Sequence, residues 1–277
     1  MGCPGSGDRL ASGERRRIMA AQSIGFVGGG RVATIILGGW THAHKMPARV
    51  VLSDASTDVL GKLKARFAQV ETVGGNLSAA AGQDVVFLAV HPPIIKDVLP
   101  QVKTALKPEA VLVSLAPKFS IPRLSEMLGG FDRIVRMIPN APSIVGRGYN
   151  PVAFGPGVSP EQKRLMLDLL APLGDCPEVP EPQLEAYAIV TGMGPTYFWP
   201  QLYELQSLAE SFGLHPEAAR EGIARMLAGA LATMSESGLG SEEVKDLIPV
   251  KPLAGDVDAL VKAYREKLTA LMEKIRP

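Results

Sequence analysis

The sequence predicts an α/β fold: a doubly wound parallel sheet followed by a smaller, all-helical domain. Three observations carry this reading. From Ser23 to about Leu173 short apolar runs alternate with helix-forming segments, the order that builds a parallel sheet with helices on both faces. One run, Val85-Val86-Phe87-Leu88-Ala89-Val90 after Asp84, is continuously apolar, as a strand covered on both faces must be. Past the stretch Pro177-Glu178-Val179-Pro180-Glu181-Pro182 no convincing strand occurs.

The first strand, Ser23 to Val27, runs into Gly28-Gly29-Gly30-Arg31-Val32-Ala33. Gly28, Gly30 and Ala33 match G-x-G-x-x-G/A, a dinucleotide pyrophosphate fingerprint. The first glycine permits the tight turn, the second lets backbone approach the pyrophosphate, and the small third residue lets helix and strand pack closely. The helix start at Arg31 and Val32 then offers unpaired N–H groups and partial positive charge to the phosphates. Helix is expected over Val32 to Leu37, with Gly38-Gly39 as its stop. Arg49 to Leu52 reads as the second strand, ending in Ser53-Asp54, and a helix capped by Ser56 or Thr57 reaches Phe67. Val70 to Val73, Asp84 to Val90, Val111 to Leu115 and Arg133 to Ile138 are the next strands. Helices are expected after Pro93 to about Leu106 and from Ser120, where Pro122 falls near the first turn. Val152 to Phe154 is a late strand, and Ser159-Pro160-Glu161-Gln162 opens a helix to about Leu173 with a capping-box pattern.

The Pro-rich stretch is the best domain boundary, giving 1–22 as a disordered extension with Met19 a candidate start, 23–176 as the dinucleotide-binding domain and 183–277 as the helical one. Helices are expected over Leu184–Val190, Thr196–Phe212, Pro216–Ser237, Ser241–Leu247 and Asp256–Ile275. Several are apolar around much of their circumference, so a homodimer is the simple expectation.

With 29 basic against 28 acidic residues in 277 and only 5% aromatics, neither nucleic acid nor a membrane surface is an expected partner. No apolar run approaches the about 20 residues that span a bilayer. Cys3 and Cys176 are the two cysteines, too few and too distant for a disulfide framework, and a cytoplasmic setting is expected. No metal, Ser-His-Asp or paired-carboxylate constellation emerges.

Asp54 lies at the end of the second strand, where an acid accepts hydrogen bonds from the adenine ribose and repels a 2′-phosphate. NAD(H) is therefore preferred, with NADP(H) possible. The alternative is a turn-capping Asp. Ala89, Val90 and His91, then Ala116 and Lys118, then Asn140 fall at later strand ends, where ligands bind in open α/β sheets. Asn140, between Pro139 and Ala141-Pro142, either orients a carboxamide or substrate or bonds its own turn. His91 reads as a cofactor contact or strand-end packing.

Four blocks in order resemble the pyrroline-5-carboxylate reductase family, from Ile24 to about Leu260. They are Gly25-Phe26-Val27-Gly28-Gly29-Gly30-Arg31-Val32-Ala33, Val86 to Pro92, Arg136 to Gly146, and Thr191-Gly192-Met193-Gly194-Pro195-Thr196-Tyr197-Phe198. The resemblance implies an N-terminal Rossmann domain, a C-terminal helical dimerisation domain, and hydride transfer from a nicotinamide to a cyclic imine, as in proline biosynthesis. Its dimers assemble further in many members. It also places Thr191 and Thr196 with Lys118 and Asn140 among the catalytic candidates. The chain departs from the family at four places: His91 stands for a Lys, Ala116-Pro117-Lys118 for Ala-Ala-Gly, and Thr191 to Thr196 for Ser-Gly-Ser-Gly-Pro-Ala. The substrate loop Ser-Pro-Gly-Gly-Thr-Thr appears as Val250-Lys251-Pro252-Leu253-Ala254-Gly255-Asp256. Three functions follow. The first is imine reduction, and the second is reduction of a different imino or keto acid through Lys118 or Lys251. The third is a nicotinamide-binding regulatory protein without turnover.

Overall fold

The computed structural model describes residues 22–277; the expected N-terminal extension and Cys3 lie outside them. Two compact units are present, one formed by residues up to Gly192 together with Met272–Pro277, the other by Met193–Leu271.

The first unit is built on a seven-stranded sheet in the order β3-β2-β1-β4-β5-β6-β8. Its strands are β1 (Ser23–Val27), β2 (Arg49–Asp54), β3 (Glu71–Gly74), β4 (Val85–Leu88), β5 (Val111–Ser114), β6 (Ile134–Met137) and β8 (Val152–Phe154). Six are parallel, and β8 runs antiparallel along β6. β1, β4, β5 and β6 are buried along their whole length, which is why they read as apolar runs. The order reverses between β1 and β4, so the crevice at their carboxyl ends is the topological switch point. Under the sheet Phe26 stacks on Phe87 at 4.8 Å, with Trp40 edge-on to both and its indole N–H donating to the Leu169 carbonyl at 3.0 Å.

Helix α1 (Arg31–His42) runs through Gly38-Gly39 instead of stopping there. The pair serves packing. A Cβ on Gly38 would sit 2.6 Å from Ile144 Cγ1, and one on Gly39 would strike the Ser143 carbonyl. Glycine lets α1 lie against the 3-10 segment Ala141–Val145. The expected capping box is present, with Ser159 and Gln162 bonding reciprocally at the start of Pro160–Leu170. A five-residue helix, Leu77–Ala81, and the two-residue pair β7 (Gly148–Tyr149) with β9 (Gly174–Asp175) were not anticipated.

The Pro-rich stretch does not divide the units, and this moves the expected boundary. Arg136 on β6 is 1% exposed, and its guanidinium pairs with Glu181 at 3.0 Å and with the buried Glu185. Glu181 also accepts the Ile121 N–H at 2.6 Å. A buried guanidinium needs such partners, and one lies within the Pro-rich stretch while the other lies beyond it. Residues 181–192 are thereby tied to the sheet: Leu184–Tyr187 is α-helical and Ala188–Gly192 is a π-helical turn.

The second unit consists of the helices Pro195–Ser211, Pro216–Glu236, Ser241–Asp246 and Val257 onward. Ala219 is its one buried hydrophobic residue, while Tyr203 is 72%, Leu231 65% and Met234 67% exposed.

Candidate active site

The glycine loop is shaped by three different constraints. Gly28 leaves β1 at φ +104, where an L side chain is strained, and a Cβ there would lie 2.7 Å from the Ala89 carbonyl. Gly29 donates its N–H to Asp54 Oδ2 at 2.7 Å. Gly30 is exposed, with ordinary extended backbone, and a Cβ on it would meet nothing within 4 Å. No packing demand explains the third glycine; it leaves open space before the start of α1. That helix start has no side-chain cap and no acidic residue in its first turn, so the Arg31, Val32 and Ala33 end presents the helix dipole to that space. Ala33 is buried and Arg31 exposed. An uncapped twelve-residue helix whose start faces open space beside a glycine makes a cradle that suits a pyrophosphate.

Asp54 holds the rim of this cradle. Its Oδ2 takes the Gly29 N–H, and Oδ1 takes the Ser56 N–H at 2.8 Å, so it caps its own turn and clamps the glycine loop. The two roles considered for it are compatible, because each carboxylate oxygen keeps acceptor capacity for a ribose hydroxyl.

The later strand ends lie side by side, as the sheet order requires. Ala89 and Val90 are half-buried and lie against Gly28. His91 is exposed and caps the 3-10 turn Pro92–Ile94 through its carbonyl, which accepts the Ile94 N–H at 2.9 Å. Ala116 is buried, and Pro117-Lys118 forms a turn in which Lys118 has φ +76. Such backbone costs an L residue roughly 1–2 kcal/mol relative to glycine. Ser114, at the end of β5, is 1% exposed, and its hydroxyl has no hydrogen-bond partner among the described residues.

Asn140 is 8% exposed, and both ends of its carboxamide go to backbone. Oδ1 accepts the Tyr149 N–H at 3.1 Å, and Nδ2 reaches the Thr191 carbonyl at 3.5 Å. Its own N–H donates to Asn150 Oδ1, which also takes the Ser143 hydroxyl. The side chain thus brings Thr191 to the end of β6. Thr191 Oγ1 donates to the Tyr187 carbonyl at 2.9 Å. Thr196 lies in the second unit, where Oγ1 donates to the Met193 carbonyl at 2.6 Å. The loop Val250–Asp256 is exposed throughout, and Lys251 pairs with Asp246 at 3.3 Å. Among the described residues no cluster could hold a metal ion. Burial raises the Cys176 thiol to about 11, so it is no nucleophile near neutral pH.

Arg136 was absent from the sequence-derived candidates. Its signal was a single charge inside Ile134-Val135-Arg136-Met137-Ile138, a pattern that demands buried partners.

Residues 23–118 match a family model described as NADP oxidoreductase coenzyme F420-dependent. A pyrroline-5-carboxylate reductase of Corynebacterium melassecola is 29% identical over 247 residues, 88% of this chain and 90% of that one. Pyrroline-5-carboxylate reductase 3 of Bos taurus is 31% identical over 78% of this chain and 70% of its own. The solved pyrroline-5-carboxylate reductase of Coxiella burnetii is 30% identical, with a TM-score of 0.65 and coverage of 92% and 94%. A Plasmodium falciparum pyrroline carboxylate reductase with NADP bound shares the fold at 22% identity and a TM-score of 0.71, covering 93% and 95%.

Proposed function

The chain belongs to the pyrroline-5-carboxylate reductase family of NAD(P)-dependent oxidoreductases, and on that premise we propose that it reduces the C=N bond of a cyclic imine carboxylate. The observation that carries the proposal is a glycine loop with an open Gly30 cradle at the switch point of a sheet, in a chain that aligns with these reductases over most of its length.

The reduced nicotinamide supplies the hydride. The chain's own residues would bind and orient it: backbone N–H groups at Gly30 to Ala33 would hold the pyrophosphate, and Asp54 would receive the adenine ribose. Ala89, Val90, His91 and Ala116, at the strand ends, would flank the nicotinamide half. A protonated imine is already activated, so positioning is the main task and no dedicated acid is required. Asn140 acts as a positioning residue through Tyr149 and Thr191. Thr191 and Thr196 remain candidates as hydrogen-bond acceptors, since each hydroxyl has spent its proton on backbone.

NADH is the proposed preferred cofactor, because the Asp54 carboxylate would sit against a 2′-phosphate. The proposed assembly is a homodimer formed through the second unit, whose apolar side chains have no core of their own. No helix among the described residues is long and apolar enough to cross a membrane; we assign the enzyme to the cytoplasm on its sparse cysteines.

The test is loss of nicotinamide absorbance with 1-pyrroline-5-carboxylate, other cyclic imines and 2-keto acids, each with NADH and NADPH. Turnover of the imine carboxylate with tighter NADH is expected. Turnover of keto acids alone, or none on the whole panel with NADH still bound, would reject the proposal.

A further inference from the structure

Given imine-carboxylate reduction as proposed above, we infer that Lys118 is the residue that selects the carboxylate on the substrate ring. The turn Ala116–Phe119 places Pro117 and Lys118 at its two central positions, with φ +76 at the second. Proline followed by positive φ is the type II pattern, which takes Gly or Asn at that second place. A lysine gains nothing from this backbone, so its side chain is the reason for it.

The other non-glycine residue at positive φ, His44 (φ +54), shows the contrast. It follows the end of α1, where its N–H donates to the Thr41 carbonyl at 3.1 Å and that of Lys45 to the Trp40 carbonyl at 2.8 Å. That is ordinary helix termination. No such duty falls on Lys118.

Its surroundings point the same way. Ala110 to Ala116 and Phe119 are buried, and Lys118 is the single exposed residue from Ala110 to Phe119. Among the described residues no carboxylate lies within ion-pair distance of its ammonium, so that charge is not committed to the fold. The turn sits at the carboxyl end of β5, next to β4, whose own end touches Gly28 of the dinucleotide loop. Ligands of open sheets bind along this edge. Arg31 lies at the start of α1, on the pyrophosphate side, which leaves Lys118 as the cation at the end of β5. An ammonium is a compact point charge suited to one carboxylate oxygen.

The experiment compares 1-pyrroline-5-carboxylate with 1-pyrroline, the same ring without the carboxylate. Each is assayed at saturating NADH in the wild type, Lys118→Gly and Lys118→Arg. The wild type should favour the carboxylated ring in kcat/KM by about 10- to 100-fold, the range of one charge-assisted hydrogen bond. Lys118→Gly should bring that ratio close to parity, mainly through KM, while raising Tm by about 2–4 °C as the strain is relieved. Lys118→Arg should keep the preference. A ratio unchanged in Lys118→Gly overturns the role of Lys118 and leaves imine reduction standing. If the wild type reduces neither ring, the functional reading fails and this inference fails with it.

Discussion

The two units of this chain solve the burial problem in opposite ways. The sheet unit buries Phe26, Trp40, Phe87 and most strand residues internally. It even buries a guanidinium with two carboxylates to match it. The helical unit buries Ala219 and leaves large apolar side chains in solvent, among them Leu253 at 72%. Helices need an apolar face covered to be stable in water. The sheet unit is therefore complete in one chain, and the helical unit leaves its apolar faces uncovered within one chain, which is the ground for the proposed homodimer.

Breaking the helical half should give the largest effect. Leu231→Asp with Met234→Asp places two charges on the exposed face of Pro216–Glu236. Light scattering should show the proposed dimer falling apart, with affinity lower by on the order of 1,000-fold, about 4 kcal/mol. Ile94→Asp, also at an exposed apolar position but in the sheet unit, should leave the mass unchanged. A wild type that is a folded monomer at micromolar concentration would refute the contrast. The next largest effect belongs to the sheet unit. Arg136→Met strands the buried Glu185 carboxylate and should cost about 3–5 kcal/mol in denaturant unfolding. Adding Glu185→Leu should recover most of it, because an apolar pair of similar volume replaces the buried charges.

How much of this was legible in the sequence follows from the same division. The sheet was readable because strands covered on both faces are mostly apolar, and Gly28, Gly30 and Asp54 stand at set distances from one another. Gly38-Gly39 misled, since a glycine pair has the same letters whether it ends a helix or lets one pack closely. The Arg136 pairs span 45 and 49 residues, beyond any local pattern, and that is why the proline-rich stretch passed for a boundary. Lys118 was visible as a residue, but its positive φ was not. The carboxamide of Asn140 goes to backbone at Tyr149 and Thr191, contacts that only the fold supplies.

Within the sheet unit a third comparison separates folding from binding with one kind of substitution. Gly28→Ala meets both positive φ and the Ala89 carbonyl, so it should lose about 2 kcal/mol of stability along with cofactor. Gly30→Ala has ordinary backbone and open space and should unfold within about 0.5 kcal/mol of wild type. Its NADH affinity should still fall at least roughly tenfold, about 1.4 kcal/mol, read by fluorescence titration. An alanine at Gly30 that binds NADH normally would remove the cradle from the cofactor site.

The smallest effect is a pH dependence at the root of the same sheet. Asp84, just ahead of β4, accepts the Ser23 N–H at 2.9 Å, the Ser23 hydroxyl at 2.8 Å and the Lys107 ammonium at 2.7 Å. Burial pushes its carboxyl up, but the Lys107 ammonium and the Ser23 donors outweigh burial and hold it below the ordinary 3.8. A folded-state value below the unfolded one adds stability that is present above about pH 4. It is lost as pH falls through the lower folded value. Asp84→Asn removes this contribution at every pH. The two proteins should therefore differ in Tm by about 1–2 °C at neutral pH, a small gap because the pair is partly solvated. That gap should close as pH falls below 3.8 and through the lower folded-state value. A gap that persists in acid would mean that Asp84 ties β1 to β4 by shape and neutral hydrogen bonds, with its charge contributing nothing.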